Sequence, residues 1–140
     1  MVVNIGSTAF PMVLAISILD SGGNAVPMGQ TGVGVATIAA GGSLSGAIDL
    51  ATQRLAGIAI PAAWTAANLT FQASTDGATF NDLYDWLGGE YTVQVGGPAR
   101  HVQLPLADFL GLRHLKIRSG TAAAPVNQAA SRTLTLVLVS

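Results

Sequence analysis

The chain has 140 residues, which suit one domain of ordinary size and are too few for two comfortable ones. Only 9% of them are charged, against roughly 25% in a typical soluble domain. A net charge of −1 argues against direct nucleic-acid binding, and the lack of cysteine excludes a disulfide framework. So few charges predict a surface that lies against partners.

The first 45 residues differ from the rest, because Asp20 is their only charge and glycines interrupt them repeatedly. Their longest apolar run, residues 10–19, is about half the roughly 20 residues of a membrane-spanning helix. A secretory signal needs basic residues before its apolar stretch, and none precedes Arg54. We therefore expect an extended arm over residues 1–45, no membrane partner and no export. The alternative is that the apolar run is a strand of the domain that follows.

Residues 46–140 alternate short strand-like segments with turn signals, which is typical of an all-β sandwich. The predicted strands lie at residues 46–50, 55–61, 69–74, 90–95, 101–106, 114–119 and 132–140. At most one helical turn is expected, within residues 105–112. The last strand becomes continuously apolar from Leu136, as a strand covered on both faces does.

Residues 69–85, with the sequence LTFQASTDGATFNDLYD, predict a β-hairpin. Leu69, Phe71 and Ala73 alternate with polar residues, which indicates a strand with one buried and one wet face. The dipeptide Asp76-Gly77 follows and accepts the positive φ of a chain reversal.

No group of residues in the sequence points to catalysis. Carboxylates of the kind that glycosidases pair across a cleft are present, but their positions in a turn and near strand ends explain them without chemistry: Asp76, Asp82, Asp85 and Glu90. His101 and His114 fall on different predicted strands, away from any zinc spacing. The sequence contains neither a Gly-x-Ser-x-Gly elbow nor a Walker lysine. We expect neither an enzyme nor a bound metal or cofactor.

Two groups of side chains are candidates for contacts with other molecules. The outward side of the last two strands carries the sole concentration of positive charge in the sequence: Lys116, Arg118 and Arg132. These cations are either a solvated face or partners of an acidic neighbouring subunit. The second group is aromatic and lies near strand ends: Tyr84, Trp86 and Tyr91. Such residues usually plug a core, but around one loop they would stack on a sugar ring.

Residues 46–139 resemble a group of small structural proteins of tailed bacteriophages, prophages and gene transfer agents. The resemblance rests on the motifs LTFQASTDG, RSGT and PVNQ, which lie within RLAGIAIPAAWTAANLTFQASTDGATFNDLYD and FLGLRHLKIRSGTAAAPVNQAASRTLTLVLV. It implies a jelly-roll-like antiparallel β-sandwich and a role in the virion.

Within the virion, we expect a capsid decoration, or cement, protein that is made in the host cytoplasm and sits on the outer surface of the capsid. Its partners would be the major capsid protein and copies of itself, as a homotrimer. The arm would dock through apolar anchors: Phe10, Met12, Leu14, Ile16 and Ile18. The alternatives are a head or tail fibre component, which contacts host polysaccharide through Tyr84, Trp86 and Tyr91, and a solitary sugar-binding module.

Overall fold

The computed structural model describes residues 18–19, 21–23, 25–26 and 31–140. The chain divides into two units, Met1–Gln30 and Thr31–Ser140. In the first unit, β1 (Ile18–Leu19) pairs with β2 (Ala25–Val26) in a short antiparallel ladder. For the predicted anchor Ile18 only the backbone is described. The other predicted anchors lie outside the described residues: Phe10, Met12, Leu14 and Ile16.

The second unit is a β-sandwich, which confirms the predicted all-β class. Its strands are β3 (Thr31–Ile38), β4 (Ile48–Asp49), β5 (Arg54–Ile60), β6 (Leu69–Ser74), β7 (Asn81–Asp82), β8 (Arg100–Gln103), β9 (His114–Ser119) and β10 (Arg132–Val139). Sheet 1 has the strand order β3-β10-β5-β8, and sheet 2 has the order β4-β9-β6-β7. All strand pairs are antiparallel. One 3-10 turn, Leu106–Phe109, lies within residues 105–112 as predicted.

The structure differs from the predicted boundary at residue 45, because β3 belongs to sheet 1. All eight of its residues pair in register with β10, from Thr31 opposite Val139 to Ile38 opposite Arg132. The glycines that suggested an arm have a packing role here. A Cβ added to Gly34 would lie 3.3 Å from Leu138 Cδ1, so glycine permits close contact. Residues 31–45 are therefore part of the sandwich.

The core lies between the two sheets, where alternate residues of the strands point inward. Both sheets supply its completely buried side chains: Ile38, Leu55, Ile58, Leu69, Phe71, Ile117, Leu134 and Leu136. The rings of Phe71 and Tyr91 each pack edge-on against Phe109, with ring centroids 5.5 Å apart. Such aromatic pairs contribute about 0.5–1.5 kcal/mol beyond the burial of their area.

Three predicted strands are shorter than expected or absent. The strand predicted at residues 46–50 is reduced to Ile48–Asp49. Residues 90–95 form no regular ladder, and their pairing is limited to bridges such as Leu69 with Val93. Valine alternates with polar residues in this segment, and Val93 and Val95 are buried in the core. Leu106 does not continue the inward face of β8. It begins the 3-10 turn and is 40% exposed.

A buried amide holds the long connection at residues 119–131 in place, and the sequence pattern does not predict this role. Gln128 has no exposed surface. Its Nε2 donates to Thr65 O at 3.0 Å and to Ser119 Oγ at 2.7 Å, while its Oε1 accepts from Thr65 N at 2.9 Å. Its backbone exchanges hydrogen bonds with Gly41 and Gly42. Through its side chain and its backbone, this one residue joins three segments of the chain.

We predict that Gln128→Ala lowers the free energy of unfolding by about 3 kcal/mol, because it leaves buried donors and acceptors of Thr65 and Ser119 without partners. Urea denaturation monitored by tryptophan fluorescence measures this loss. The matched control is Gln103→Ala at an exposed position, which should change stability by less than about 0.5 kcal/mol. Equal effects of the two substitutions would contradict a structural role for Gln128.

Candidate functional site

Residues 83–91 form a tight hairpin with an aromatic tip, the aromatic hairpin. Its base is closed by Tyr91 N–H, which donates to Leu83 O at 2.8 Å. One step further, Asp85 N–H donates to Gly89 O at 2.8 Å. These cross-strand bonds leave residues 86–88 at the tip.

The tip is held by the side chain of Asp85. Its Oδ1 accepts the N–H groups of Leu87 and Gly89, each at 2.9 Å. Gly88 has a φ of +90°, a conformation that other residues rarely adopt. Asp85 therefore has a structural role in the turn, and the hairpin presents its tip in a defined conformation.

Three large apolar side chains of the hairpin are exposed to solvent: Tyr84 (54%), Trp86 (91%) and Leu87 (75%). Burying an aromatic side chain removes roughly 150–250 Å² from water, which contributes about 4–6 kcal/mol at 25 cal/mol per Å². Trp86 stays exposed, so the fold does not gain this free energy of burial. Adjacent exposed apolar residues of this size are typical of a binding surface.

The structure brings Tyr84, Trp86 and Tyr91 together around one shallow cavity of about 200 Å³. Its lining is Leu83, Tyr84, Asp85, Trp86, Tyr91 and Asp108. Tyr91 Oη donates to Asp108 Oδ2 at 2.7 Å. Burial, followed by this contact with Asp108, raises the pKa of Tyr91, so its phenol stays protonated. Tyr91 is a fixed wall of the cavity.

The cavity combines apolar rings with carboxylate acceptors. Asp85 Oδ2 and Asp108 Oδ1 accept no hydrogen bond from the described residues. Ligand cavities that enclose a small molecule usually span about 300–1,000 Å³. This smaller cavity suits a flat group that lies on the surface, such as a sugar ring whose apolar face stacks on an aromatic side chain while its hydroxyls donate to a carboxylate.

The predicted cationic stripe is not exposed at Arg118. This side chain is buried, and its Nη2 contacts Asp82 Oδ1 while its Nη1 lies 3.2 Å from Glu90 Oε2. Glu90 also accepts the N–H of Ala122. The guanidinium therefore ties β9 to β7, to the base of the aromatic hairpin and to the 119–131 connection. Its charge is satisfied within the chain.

The strand β6 lacks the wet face that its sequence predicts, because other segments cover its polar side chains. Thr70 is completely buried and donates to Gly120 O at 2.8 Å. Ser74 is buried as well, and its Oγ donates to Asp76 Oδ1 in the turn. Polar residues alternate along β6 as expected, but the chain covers them with its own polar groups.

The other two predicted cations lie apart. Lys116 Nζ is 4.4 Å from the ring centroid of Phe80, a cation–π contact within sheet 2. Arg132 begins β10 in sheet 1, opposite Ile38, whereas β9 belongs to sheet 2. The expectation that Arg132 extends the stripe is wrong, because consecutive strands β9 and β10 belong to different sheets.

A second exposed surface, which the sequence did not single out, is the outer side of β3 and β10. We call it the Thr/Val face. It consists of Thr31, Val33, Val35, Thr37, Thr133, Thr135, Val137 and Val139. Val33 is 75% exposed and Val35 is 61% exposed. Thr37 Oγ1 and Thr133 Oγ1 lie 3.3 Å apart across the two strands, as their register requires.

The Thr/Val face explains the continuous apolar run of β10. The sequence predicted a strand covered on both faces, but Val137 and Val139 are only half-buried in the lone chain. Their inward neighbours Leu136 and Leu138 pack in the core. The described residues therefore cover the outer side of β10 only in part.

Within residues 18–19, 21–23, 25–26 and 31–140, no cluster of acidic or histidine side chains is arranged to hold a metal ion. The same part of the chain contains no helix of the length and apolarity that a bilayer crossing requires. In comparisons with known proteins, no family model, no curated protein and no solved structure matches this chain.

We predict that Arg118→Met destabilises the sandwich by about 3 kcal/mol at pH 7, because Asp82 and Glu90 remain as unpaired, partly buried carboxylates. Lys116→Met, the matched control, should cost about 1 kcal/mol or less. Denaturant titrations at several pH values measure both.

At acidic pH, the difference in free energy of unfolding between wild type and Arg118→Met should become smaller. The hydrogen bond from Arg118, followed by that from Gln72, lowers the pKa of Asp82. The ion pair therefore contributes fully above the ordinary carboxyl pKa of about 4 and less as the pH falls below it. A difference in free energy of unfolding that stays constant down to pH 2 would contradict the ion-pair role.

Proposed function

We propose that this protein is a structural component of a tailed-phage virion or related particle, and that it serves as a capsid decoration protein. The resemblance of residues 46–139 to small phage structural proteins supports the proposal that the protein is a component of such a particle. The Thr/Val face supports the role, since it offers an uncharged surface of valine and threonine that the described residues leave largely exposed on β3 and half-exposed on β10.

The Thr/Val face suits repeated contacts because it carries few charges that must lose water on docking. Among the described strands, the charged residue in register with it is Arg54, opposite Val139 at its end. Beyond β10, Gly57 and Ala59 of β5 continue the surface with small residues. A few hundred Å² of apolar area would contribute several kcal/mol per copy at about 25 cal/mol per Å².

In this proposal, the Thr/Val face rests on the major capsid protein, and many copies on one shell multiply a modest contact. The apolar run at residues 10–19 adds a second contact by strand addition to a neighbouring subunit. The resemblance implies a homotrimer as the arrangement of copies once they are bound to the shell.

We predict that the double variant T135K/V137K loses attachment to shells while it remains folded. Two ammonium groups at the centre of the Thr/Val face would have to lose water on docking. The measurement is co-sedimentation with shells stripped of the protein, together with copy counting in intact particles by quantitative mass spectrometry. We expect hundreds of copies bound for the wild type and at least about a tenfold loss of affinity for the variant.

The control L87K/L110K adds the same charge at other exposed apolar positions and should attach normally. A handful of copies per particle, or attachment that T135K/V137K leaves unchanged, would sink the decoration role.

The aromatic hairpin favours one further candidate function, a fibre or spike component that contacts host polysaccharide. The observation behind it is the cavity where Tyr84 and Trp86 meet the acceptors of Asp85 and Asp108. Aromatic stacking with hydroxyl-to-carboxylate bonds is the chemistry that recognises a sugar ring. A solitary sugar-binding module would use the same site.

We predict that, under this second function, Trp86→Ala abolishes glycan binding without a change in stability, because Trp86 is 91% exposed. Isothermal titration of surface polysaccharide from the host, with wild type and variant, measures it. Leu110→Ala, an exposed apolar residue outside the cavity, is the control and should bind as wild type. Tight binding that depends on Trp86 would make glycan recognition the main function, and binding that survives Trp86→Ala would exclude this site.

A further inference from the structure

Three of the four sheet edges in the second unit are short and carry charge. In sheet 2, β4 and β7 have two residues each and include Asp49 and Asp82. In sheet 1, β8 has four residues and begins with Arg100. Short, charged edges prevent a sheet from pairing with another chain. These edges therefore look protected against association.

The fourth edge, β3, lacks each of these protections. It is eight residues long, with the sequence TGVGVATI, and it contains neither charge nor proline. Its register with β10 is unbroken by any bulge. Among the described strands, none pairs with its other side. A long, flat, uncharged edge is a template for another strand.

The sequence of β3 is nearly the same in both directions. Read from either end, residues 31–37 place threonine first, valine third and fifth, and threonine last, around Gly34. The inward positions between them are small in both directions, Gly32 at one end and Ala36 at the other. Antiparallel self-pairing about Gly34 would place Thr31 opposite Thr37 and Val33 opposite Val35.

We propose that the partner of the β3 edge is a second copy of this chain, which pairs antiparallel through β3 about a two-fold axis at Gly34. A two-fold contact must match a surface with itself, and the near-palindrome of β3 meets that condition. The contact joins two copies of sheet 1 into one eight-stranded sheet. It also joins their Thr/Val faces into one surface of twice the area.

Cross-strand chemistry supports this register. Valine opposite valine and threonine opposite threonine are stabilising pairs on a sheet surface. The exposed fractions of Val33 and Val35, 75% and 61%, leave both side chains available. No charge has to be buried, because β3 contains none. The proposal does not depend on the virion role, and its symmetry differs from that of the homotrimer.

Sedimentation equilibrium from about 10 to 500 μM tests the contact through two variants that differ only in the sign of one charge. V33K/V35K sets like charges opposite each other across the two-fold axis, and should raise the dimer dissociation constant by at least about tenfold. V33K/V35E sets each introduced ammonium opposite a carboxylate of the other copy, and should retain the dimer. The variants L87K/L110K and T135K/V137K should dimerise as wild type, which separates the edge from the Thr/Val face.

Hydrogen exchange of the wild type gives a second readout that needs no variant. Amides of residues 31–38 should exchange more slowly as concentration rises, while those of β8 should not change. A monomer at all concentrations, a trimer, or a dimer that V33K/V35K leaves intact would overturn the proposal. A monomer with protected β3 amides would show that a strand of the same chain occupies the edge, which also overturns it.

Discussion

Arg118 lies on the outer side of sheet 2, where its guanidinium contacts Asp82 of β7 and Glu90 at the base of the aromatic hairpin. Glu90 also accepts the N–H of Ala122, so one cation connects two strands, a hairpin and a long connection. Removing one partner from such a cluster leaves a partly buried charge unpaired, which is unfavourable. The ion pairs therefore stabilise the packing of these segments against one another. The hairpin therefore has a polar anchor in addition to the packing of Leu83 and Tyr91 against the core, and it holds Trp86 in solvent.

Internal pairing makes the surface poorer in charge than the composition suggests. The chain has six basic and seven acidic residues. Arg118 pairs with two carboxylates, and Arg113 pairs with Asp49, which lowers the pKa of that carboxyl to about 2. Asp76 binds the backbone of its own turn, mainly the N–H groups of Thr79 and Ala78. The arginines of sheet 1, Arg54, Arg100 and Arg132, each begin a strand, so the middle of its outer side is a neutral surface of valine and threonine.

Periodicity in the sequence was enough to predict the sandwich, most of its longer strands and the single helical turn, because inward and outward residues alternate locally. Tyr84, Trp86 and Tyr91 were nominated as one group because these aromatic residues lie close together in the sequence and near strand ends. Periodicity could not predict contacts between segments that are distant in the sequence. The burial of Arg118 depends on carboxylates 28 and 36 residues away, and the role of Gln128 depends on Thr65 across 63 residues. The glycines of β3 were wrongly interpreted as evidence of an arm, because glycine occurs both in flexible segments and where packing is close.

The Thr/Val face and the base of the aromatic hairpin lie on the outer sides of different sheets. The Thr/Val face belongs to sheet 1, whereas the base of the hairpin is fixed to sheet 2 through Arg118 and Glu90. A copy that docks through the Thr/Val face therefore covers sheet 1 and not the outer side of sheet 2. Pairing through β3 keeps this polarity, because antiparallel strands about a two-fold axis normal to the sheet leave both Thr/Val faces on the same side. The two proposed functions therefore depend on different residues, and the separation of the two surfaces allows each to be disabled alone.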